Sequence, residues 1–139
     1  MVKVLSGLKG SGKTKKMIHM ANDLVETGTG SIVFINKNHR LIYDLKYQIR
    51  VVCMEDYPHI TNIDEYIGFL YGIISSDHDI EVIFIDGILS HKDVHIPDLK
   101  EFMNRLSDIS KKHDLDFVVS ISASMDDVGD CLGGCELLA

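Results

Sequence analysis

The sequence predicts an α/β fold of three layers, with a mainly parallel five-stranded sheet between helices. Three observations carry that expectation. Short apolar runs rich in β-branched residues recur along the chain. They are continuous rather than alternating, which is the pattern of strands buried on both faces. Between them lie segments whose apolar residues recur at helical spacing. Strands alternating with helices fold into a parallel sheet covered on both sides, with right-handed crossovers. The length of 139 residues and the 45% apolar content suit one domain spanning 1–139.

The elements follow in order. "VKVL", from Val2, is the first strand; a glycine-rich loop and a helix with Met17, Ala21, Leu24 and Val25 in one stripe come after it. "SIVFIN" (Ser31 to Asn36) is the second strand, and Arg40 to Tyr47 is expected to form a short helix. "IRVVCM" (Ile49 to Met54) is a third, weaker strand because Arg50 interrupts it. Asn62 and Glu65 make a capping-box-like start for a helix with the stripe Ile63, Tyr66, Ile67, Leu70, Tyr71 and Ile74. "EVIFID" (Glu81 to Asp86) is the fourth strand. Pro97, Asp98 and Glu101 open a helix carrying Leu99, Phe102, Met103, Leu106 and Ile109. "DFVVSIS" (Asp116 to Ser122) is the fifth strand.

The formal net charge of -7 argues against binding free nucleic acid, whose phosphates need Lys and Arg. Cations nevertheless crowd the glycine-loop end, at Lys3, Lys9, Lys13, Lys15 and Lys16, which suits a polyphosphate ligand. For Lys15 and Lys16 a solvated helix start is an equally good reading. No apolar run reaches the length a bilayer needs, and the first residues lack the apolar centre of a signal peptide. A cytoplasmic location without membrane partners is the expectation. The odd count of three cysteines fits a reducing compartment. Cys131 and Cys135 alone are half a zinc site at most and read as small core or surface residues.

Two motifs carry chemistry. "VLSGLKGSGKT" (Val4 to Thr14) matches G-x-x-x-x-G-K-[ST] at Gly7, Gly12, Lys13 and Thr14. Gly12 lets backbone approach a phosphate, and successive N–H groups form an anion-binding nest. The start of the following helix adds the positive end of its dipole. Lys13 brings a charge to the β- and γ-phosphates, and the Thr14 hydroxyl is a ligand for Mg²⁺. Gly7, Lys9, Gly10, Ser11, Gly12, Lys13, Thr14 and Lys15 form the expected nucleotide-binding set. The second motif is "VIFID", in which apolar residues bring the Asp86 carboxylate to a strand end. There it holds Mg²⁺ through the ion's waters, so Thr14 and Asp86 are the expected metal residues. In an open α/β sheet both motifs lie at the carboxyl ends of strands, where ligands sit.

Together these Walker A and Walker B segments make the chain resemble P-loop nucleoside triphosphatases. The layout is similar to the RecA-like branch, to the core of type II thymidine kinases and to small bacterial ATP-binding proteins. The likeness covers nearly the whole chain, although only the two motifs are specific. It implies ATP and Mg²⁺ as cofactors, ATP by family frequency, and a strand order of 3-2-4-5-1. Burial supports that order: "VIFI" and "FVVSIS" are the strongest apolar runs and belong at the centre, whereas Arg50 and Lys3 mark strands that tolerate edges. The guanine-reading pattern is not matched, since "NKNH" (Asn36 to His39) lacks its Asp and precedes Asp86.

The departures are informative. Thymidine kinases and many RecA-like ATPases place a Glu base just after the Walker B Asp, but here Gly87, Ile88 and Leu89 follow. The zinc-binding lobe of thymidine kinases has no counterpart. Candidates for the base are His91, Asp93 and His95, expected to be solvated loop residues. Ser120 and Ser122 interrupt a buried strand; the resemblance implies a sensor-like role at the γ-phosphate, and a hydroxyl satisfied by backbone is the competing reading. The expected catalytic set is Lys13, Asp86 and Ser120. Arg40 and Lys37 are candidates for neutralising phosphate charge, with a surface cation as the default. The expected function is Mg-dependent ATP binding with slow hydrolysis. The alternatives are a small-molecule kinase and a nucleotide-dependent switch that binds a protein partner or self-associates, for which the exposed aromatics of "EDYPHI" are candidate contacts.

Overall fold

The computed structural model describes residues 1–40 and 43–138. The chain runs β1 (Val2–Gly7), α1 (Lys13–Thr27), β2 (Ser31–Asn36), β3 (Arg50–Cys53), α2 (Ile63–Ser76), β4 (Ile80–Ile85), α3 (Leu99–His113), β5 (Asp116–Ser122), α4 (Met125–Val128) and β6 (Glu136–Leu138). The strands form one sheet in the order β3-β2-β4-β5-β1-β6, with every strand pair parallel. The five strands legible in the sequence therefore take the order 3-2-4-5-1. β5 lies between β1 and β4: Val2 to Gly7 pair with Phe117 to Ser122, and Val82 to Ile85 pair with Asp116 to Val119.

Two expectations about β1 are corrected. The sheet has six strands rather than five, because Glu136–Leu138 pairs with Lys3, Val4 and Leu5 on the far side of β1. β1 is therefore interior, and Lys3 is accommodated there opposite Glu136 in the register. Lys3 also stands at the start of β1, away from the glycine loop at its end, so it is not part of the cation cluster around that loop.

Alternation along the strands divides the core in two. One face presents Val4, Ile35, Ile83, Ile85, Phe117 and Val119 to Leu70 of α2 and to Phe102 and Leu106 of α3. The other presents Leu5, Phe34, Phe84 and Val118 to Met17 and Ala21 of α1. Phe34 and Phe84 stack across that second face with centroids 5.5 Å apart. Sheet and helices thus form the expected layers.

The helices bury the stripes that the sequence marks, with one change. α2 starts with a full capping box, in which Glu65 N–H donates to Asn62 Oδ1 at 2.9 Å and Asn62 N–H donates to Glu65 Oε1 at 3.1 Å. Tyr71 is not in its buried face: the residue is 44% exposed and its ring sits edge-on to His113, while Ile73 is buried in its place. The stripe continues from Leu70 to Ile73 and Ile74 at three- and four-residue steps, which leaves Tyr71 at its margin.

The short helix expected over Arg40 to Tyr47 is not formed by Tyr43–Tyr47, which run as turns; Leu41 and Ile42 lie outside the described residues. A side chain takes over the backbone pairing there. Asn22 of α1 donates from Nδ2 to the Asp44 carbonyl at 2.9 Å and accepts the Lys46 N–H at 2.9 Å. This holds the segment against α1, with Leu45 and Ile49 buried in the second core. No helix among the described residues is long and apolar enough to cross a membrane.

Candidate functional site

The carboxyl ends of β1, β2, β4 and β5 open onto a cleft of about 1250 Å³. Its walls include Lys9, Gly10, Gly12, Lys13, Thr14 and Lys15 of the glycine loop, and Asn36, Lys37, Asn38 and Arg40 after β2. Asp86 and Gly87 after β4, Ser120 and Ser122 of β5, and Lys16 and Asp44 also line it. The two sequence motifs, 72 positions apart from Thr14 to Asp86, thus meet at one place.

The loop geometry explains its glycines. Leu8 to Ser11 form a turn closed by Ser11 N–H donating to the Leu8 carbonyl at 3.1 Å. Gly10 in that turn and Gly12 at the start of α1 have φ of 87° and 86°, a region that L side chains rarely adopt. The Ser11 N–H is engaged in that turn. α1 has no side-chain cap and no acidic residue in its first turn. Its first internal bond runs from Lys16 N–H to the Gly12 carbonyl at 3.2 Å, so the N–H groups of Lys13, Thr14 and Lys15 have no helical acceptor. Such an end attracts anions. Lys13 folds over the loop, donating from Nζ to the Gly7 carbonyl at 2.8 Å, the Leu8 carbonyl at 3.0 Å and Ser11 Oγ at 3.3 Å.

Asp86 is the most constrained acidic group in the cleft. Its N–H donates to the Ile35 carbonyl at 2.9 Å, which extends the β4–β2 ladder one residue beyond the strand. Thr14 Oγ1 lies 3.1 Å from both Asp86 carboxylate oxygens. Ser120 Oγ donates to Asp86 Oδ1 at 2.7 Å and accepts the Gly87 N–H at 2.7 Å. Ser120 is buried, whereas Ser122, two residues on along the same strand, is exposed at the cleft. The Ser120 hydroxyl proton is committed to Asp86 and one of its lone pairs to the Gly87 N–H, so it has no proton left to donate to a ligand.

Compared with known proteins, the chain matches no family model and no curated sequence. The site therefore has to be read from its own chemistry. Six cations line the cleft, Lys9, Lys13, Lys15, Lys16, Lys37 and Arg40, against two acidic residues, Asp44 and Asp86. In a chain of net charge -7 this is a local reversal of sign, and it favours an anionic ligand. Hard oxygen donors converge at Thr14 and Asp86, a set that fits Mg²⁺. Lys37 and Arg40 are exposed along the wall, and the Asn38 side chain turns the backbone there by accepting the Arg40 N–H at 3.0 Å.

The candidate bases are placed differently from the sequence expectation. Asp93 and His95 are exposed and do not line the cleft. His91 is not a solvated loop residue. Its Nε2 is buried without a partner among the described residues, and its ring packs edge-to-face on Tyr66 at 5.0 Å. Burial, the largest influence on it, pushes its pKa below the ordinary histidine value. His91, Tyr66, Asn36 and Asp86 wall a second, small cavity of about 20 Å³, room for about one water. In Tyr66 burial, with a smaller contribution from the Asp86 charge, raises the phenol far above its ordinary pKa, so it stays protonated. Tyr57 of "EDYPHI" is 46% exposed, and its ring leans on Phe69 at 5.3 Å.

Sequence reasoning missed Asn36. It is a buried polar residue that ends an apolar strand at the cleft, and that position was the available signal. It also missed the Asn22 clamp, for which the sequence carries no local sign.

Proposed function

We propose that this protein is a Mg-dependent ATP-binding protein of the P-loop nucleoside triphosphatase type, with slow intrinsic hydrolysis. The observation that carries the reading is the meeting of Thr14 Oγ1 with both oxygens of Asp86 at 3.1 Å, beside a lysine-bearing loop at a helix start. Gly7–Thr14 and the first N–H groups of α1 hold the phosphates, and the Lys13 ammonium exchanges its loop carbonyls for phosphate oxygens. Thr14 and Asp86 hold the ion. Bound there, Mg²⁺ would neutralise phosphate charge. Ser120 acts through Asp86 by fixing its carboxylate, not by direct contact with phosphate. Arg40 and Lys37 add positive charge from the opposite wall.

Turnover is slow on this reading because the position after Asp86 is glycine and the acidic lining consists of Asp44 and Asp86. That same lining favours a second reading, a nucleotide-dependent switch in which binding rather than hydrolysis is the output. Phosphate release measured over many turnovers separates the two. Calorimetric titration of ATP with and without Mg²⁺ tests the common core. Asp86→Asn should lose the enhancement by Mg²⁺ while keeping metal-free affinity. Equal losses in both conditions would make Asp86 a structural residue and remove the reading.

A further inference from the structure

Within the stretch from Asn36 to Arg40, His39 alone does not line the cleft. Its ring meets two other residues. Cys53 Sγ lies 3.2 Å from Nδ1, and Asp56 Oδ1 lies 3.0 Å from Nε2. One donor atom from each residue, a sulfur, a ring nitrogen and a carboxylate oxygen, lie within 4.8 Å of one another. We propose that His39, Cys53 and Asp56 form a binding site for a divalent transition-metal ion of the zinc class.

The donor chemistry selects the ion. Thiolate, imidazole and carboxylate together are borderline-soft ligands, which suit zinc and not Mg²⁺ or Ca²⁺. Metal–ligand bonds of about 2.0–2.3 Å place the donors of a tetrahedral site about 3.3–3.8 Å apart. The 3.2 and 3.0 Å contacts run to different ring nitrogens, so the imidazole must turn to give one nitrogen to the ion, and donors within 4.8 Å of one another must close by up to about 1 Å. Water completes the fourth position.

The backbone already holds the three residues together. Cys53 ends β3 in register with Asn36, which ends β2. Glu55 N–H donates to the Lys37 carbonyl at 3.0 Å, tying the Met54–Asp56 turn to the loop that carries His39. Access also fits. The His39 and Asp56 side chains are 53% and 49% exposed, whereas Cys53 is 4% exposed and is approached past the other two. A sulfur so covered is poorly placed to attack a carbon substrate; an ion reaches it as the His39–Asp56 pair, 3.0 Å apart, opens. As the metal–sulfur bond forms, the Cys53 thiol proton passes to solvent, and no oxidation state changes.

Co²⁺ added to the full chain tests the site, since a thiolate ligand gives an intense near-ultraviolet charge-transfer band and four-coordination gives strong visible bands. One equivalent should bind with both features, and Zn²⁺ should displace it. Cys53→Ser should abolish the charge-transfer band, and the double variant Cys131→Ser/Cys135→Ser should retain it. His39 is exposed, so His39→Ala leaves the fold intact and should weaken Co²⁺ binding about tenfold or more. Ions at Thr14 and Asp86, an all-oxygen set, would give no thiolate band. A folded protein that binds no Co²⁺ with thiolate character overturns the proposal. So does a band that depends on Cys131 and Cys135, or one that survives His39→Ala at full affinity.

Discussion

Ser120 Oγ and Asp86 Oδ1 are 2.7 Å apart, and the same hydroxyl accepts the Gly87 N–H. One buried serine thus fixes both the carboxylate and the backbone turn that follows it. Ser120→Ala removes a donor and an acceptor together and leaves the Gly87 N–H unpaired. We expect a stability loss of about 1–3 kcal/mol, the usual cost of an unsatisfied buried group. Chemical denaturation measures it. Mg-dependent ATP affinity should fall as well, and an unchanged affinity would show that Asp86 needs no help in holding its position.

Lys13→Ala should leave the fold intact, because the ammonium bonds only to loop oxygens and fills no core. Its loss should weaken triphosphate binding about ten- to a hundredfold, from about 1.5–3 kcal/mol for a hydrogen bond to a charged group. Titration calorimetry of both proteins decides it. Equal affinities would remove the phosphate-loop reading.

On the proposed reading, Gly87→Glu would supply the carboxylate that is missing after Asp86, but the backbone resists it. Gly87 sits at φ 69° and ψ 50°, in the left-handed region. A side chain there costs about 1–2 kcal/mol. Space is not the obstacle, since a Cβ would meet Ser90 Oγ at an ordinary 3.6 Å. The variant should fold with a lowered denaturation midpoint, and Gly87→Asn should be the milder change. A Glu variant as stable as the parent would contradict the geometry.

His91 should make the protein sensitive to mild acid. Burial is the largest cause of its lowered pKa, so the folded state favours the neutral ring more than the unfolded chain does. That contribution is present above the unfolded value, about 6.5, and is lost as pH falls through the folded value. Denaturation midpoints should therefore drop between neutral and mildly acidic pH, and His91→Phe should flatten the drop. The ring titration followed by NMR gives a direct check, and a midpoint at or above the ordinary histidine value would sink the argument.

The legible parts of the molecule were those where local pattern and burial agree. "SIVFIN" and "DFVVSIS" are strands over the same residues in sequence and structure, because continuous β-branched runs have no other way to be buried on both faces. Burial placed β4 and β5 at the centre but misjudged β1, whose Lys3 does not mark an edge; the Asn62–Glu65 box followed from local hydrogen bonding. β6 was illegible because its stability is not local. Glu136 and Leu137 are exposed, and the segment is a strand only because β1 offers it an unpaired edge. Tyr43–Tyr47 misled because its backbone partners come from Asn22, a side chain on another element. At the site, the motif residues were readable, but the double commitment of Ser120 and the company kept by His39 depend on strands that only the fold brings side by side.

The interior place of β1 sets the order in which the site can be completed during synthesis. Val2 pairs with Phe117 and Gly7 with Ser122, so the strand that leads into the glycine loop waits for a partner from the other end of the sequence. Until β5 has left the ribosome, β1 has neither of its neighbours, since β6 follows later still. Until then the strand that leads to Lys13 and Thr14 lacks its sheet neighbours, and Ser120, which fixes Asp86, arrives with β5 itself. Closing so long a loop slows folding more than it weakens the finished structure. On the proposed reading, ligand capture by this cleft therefore begins only once the chain has been made through Ser122.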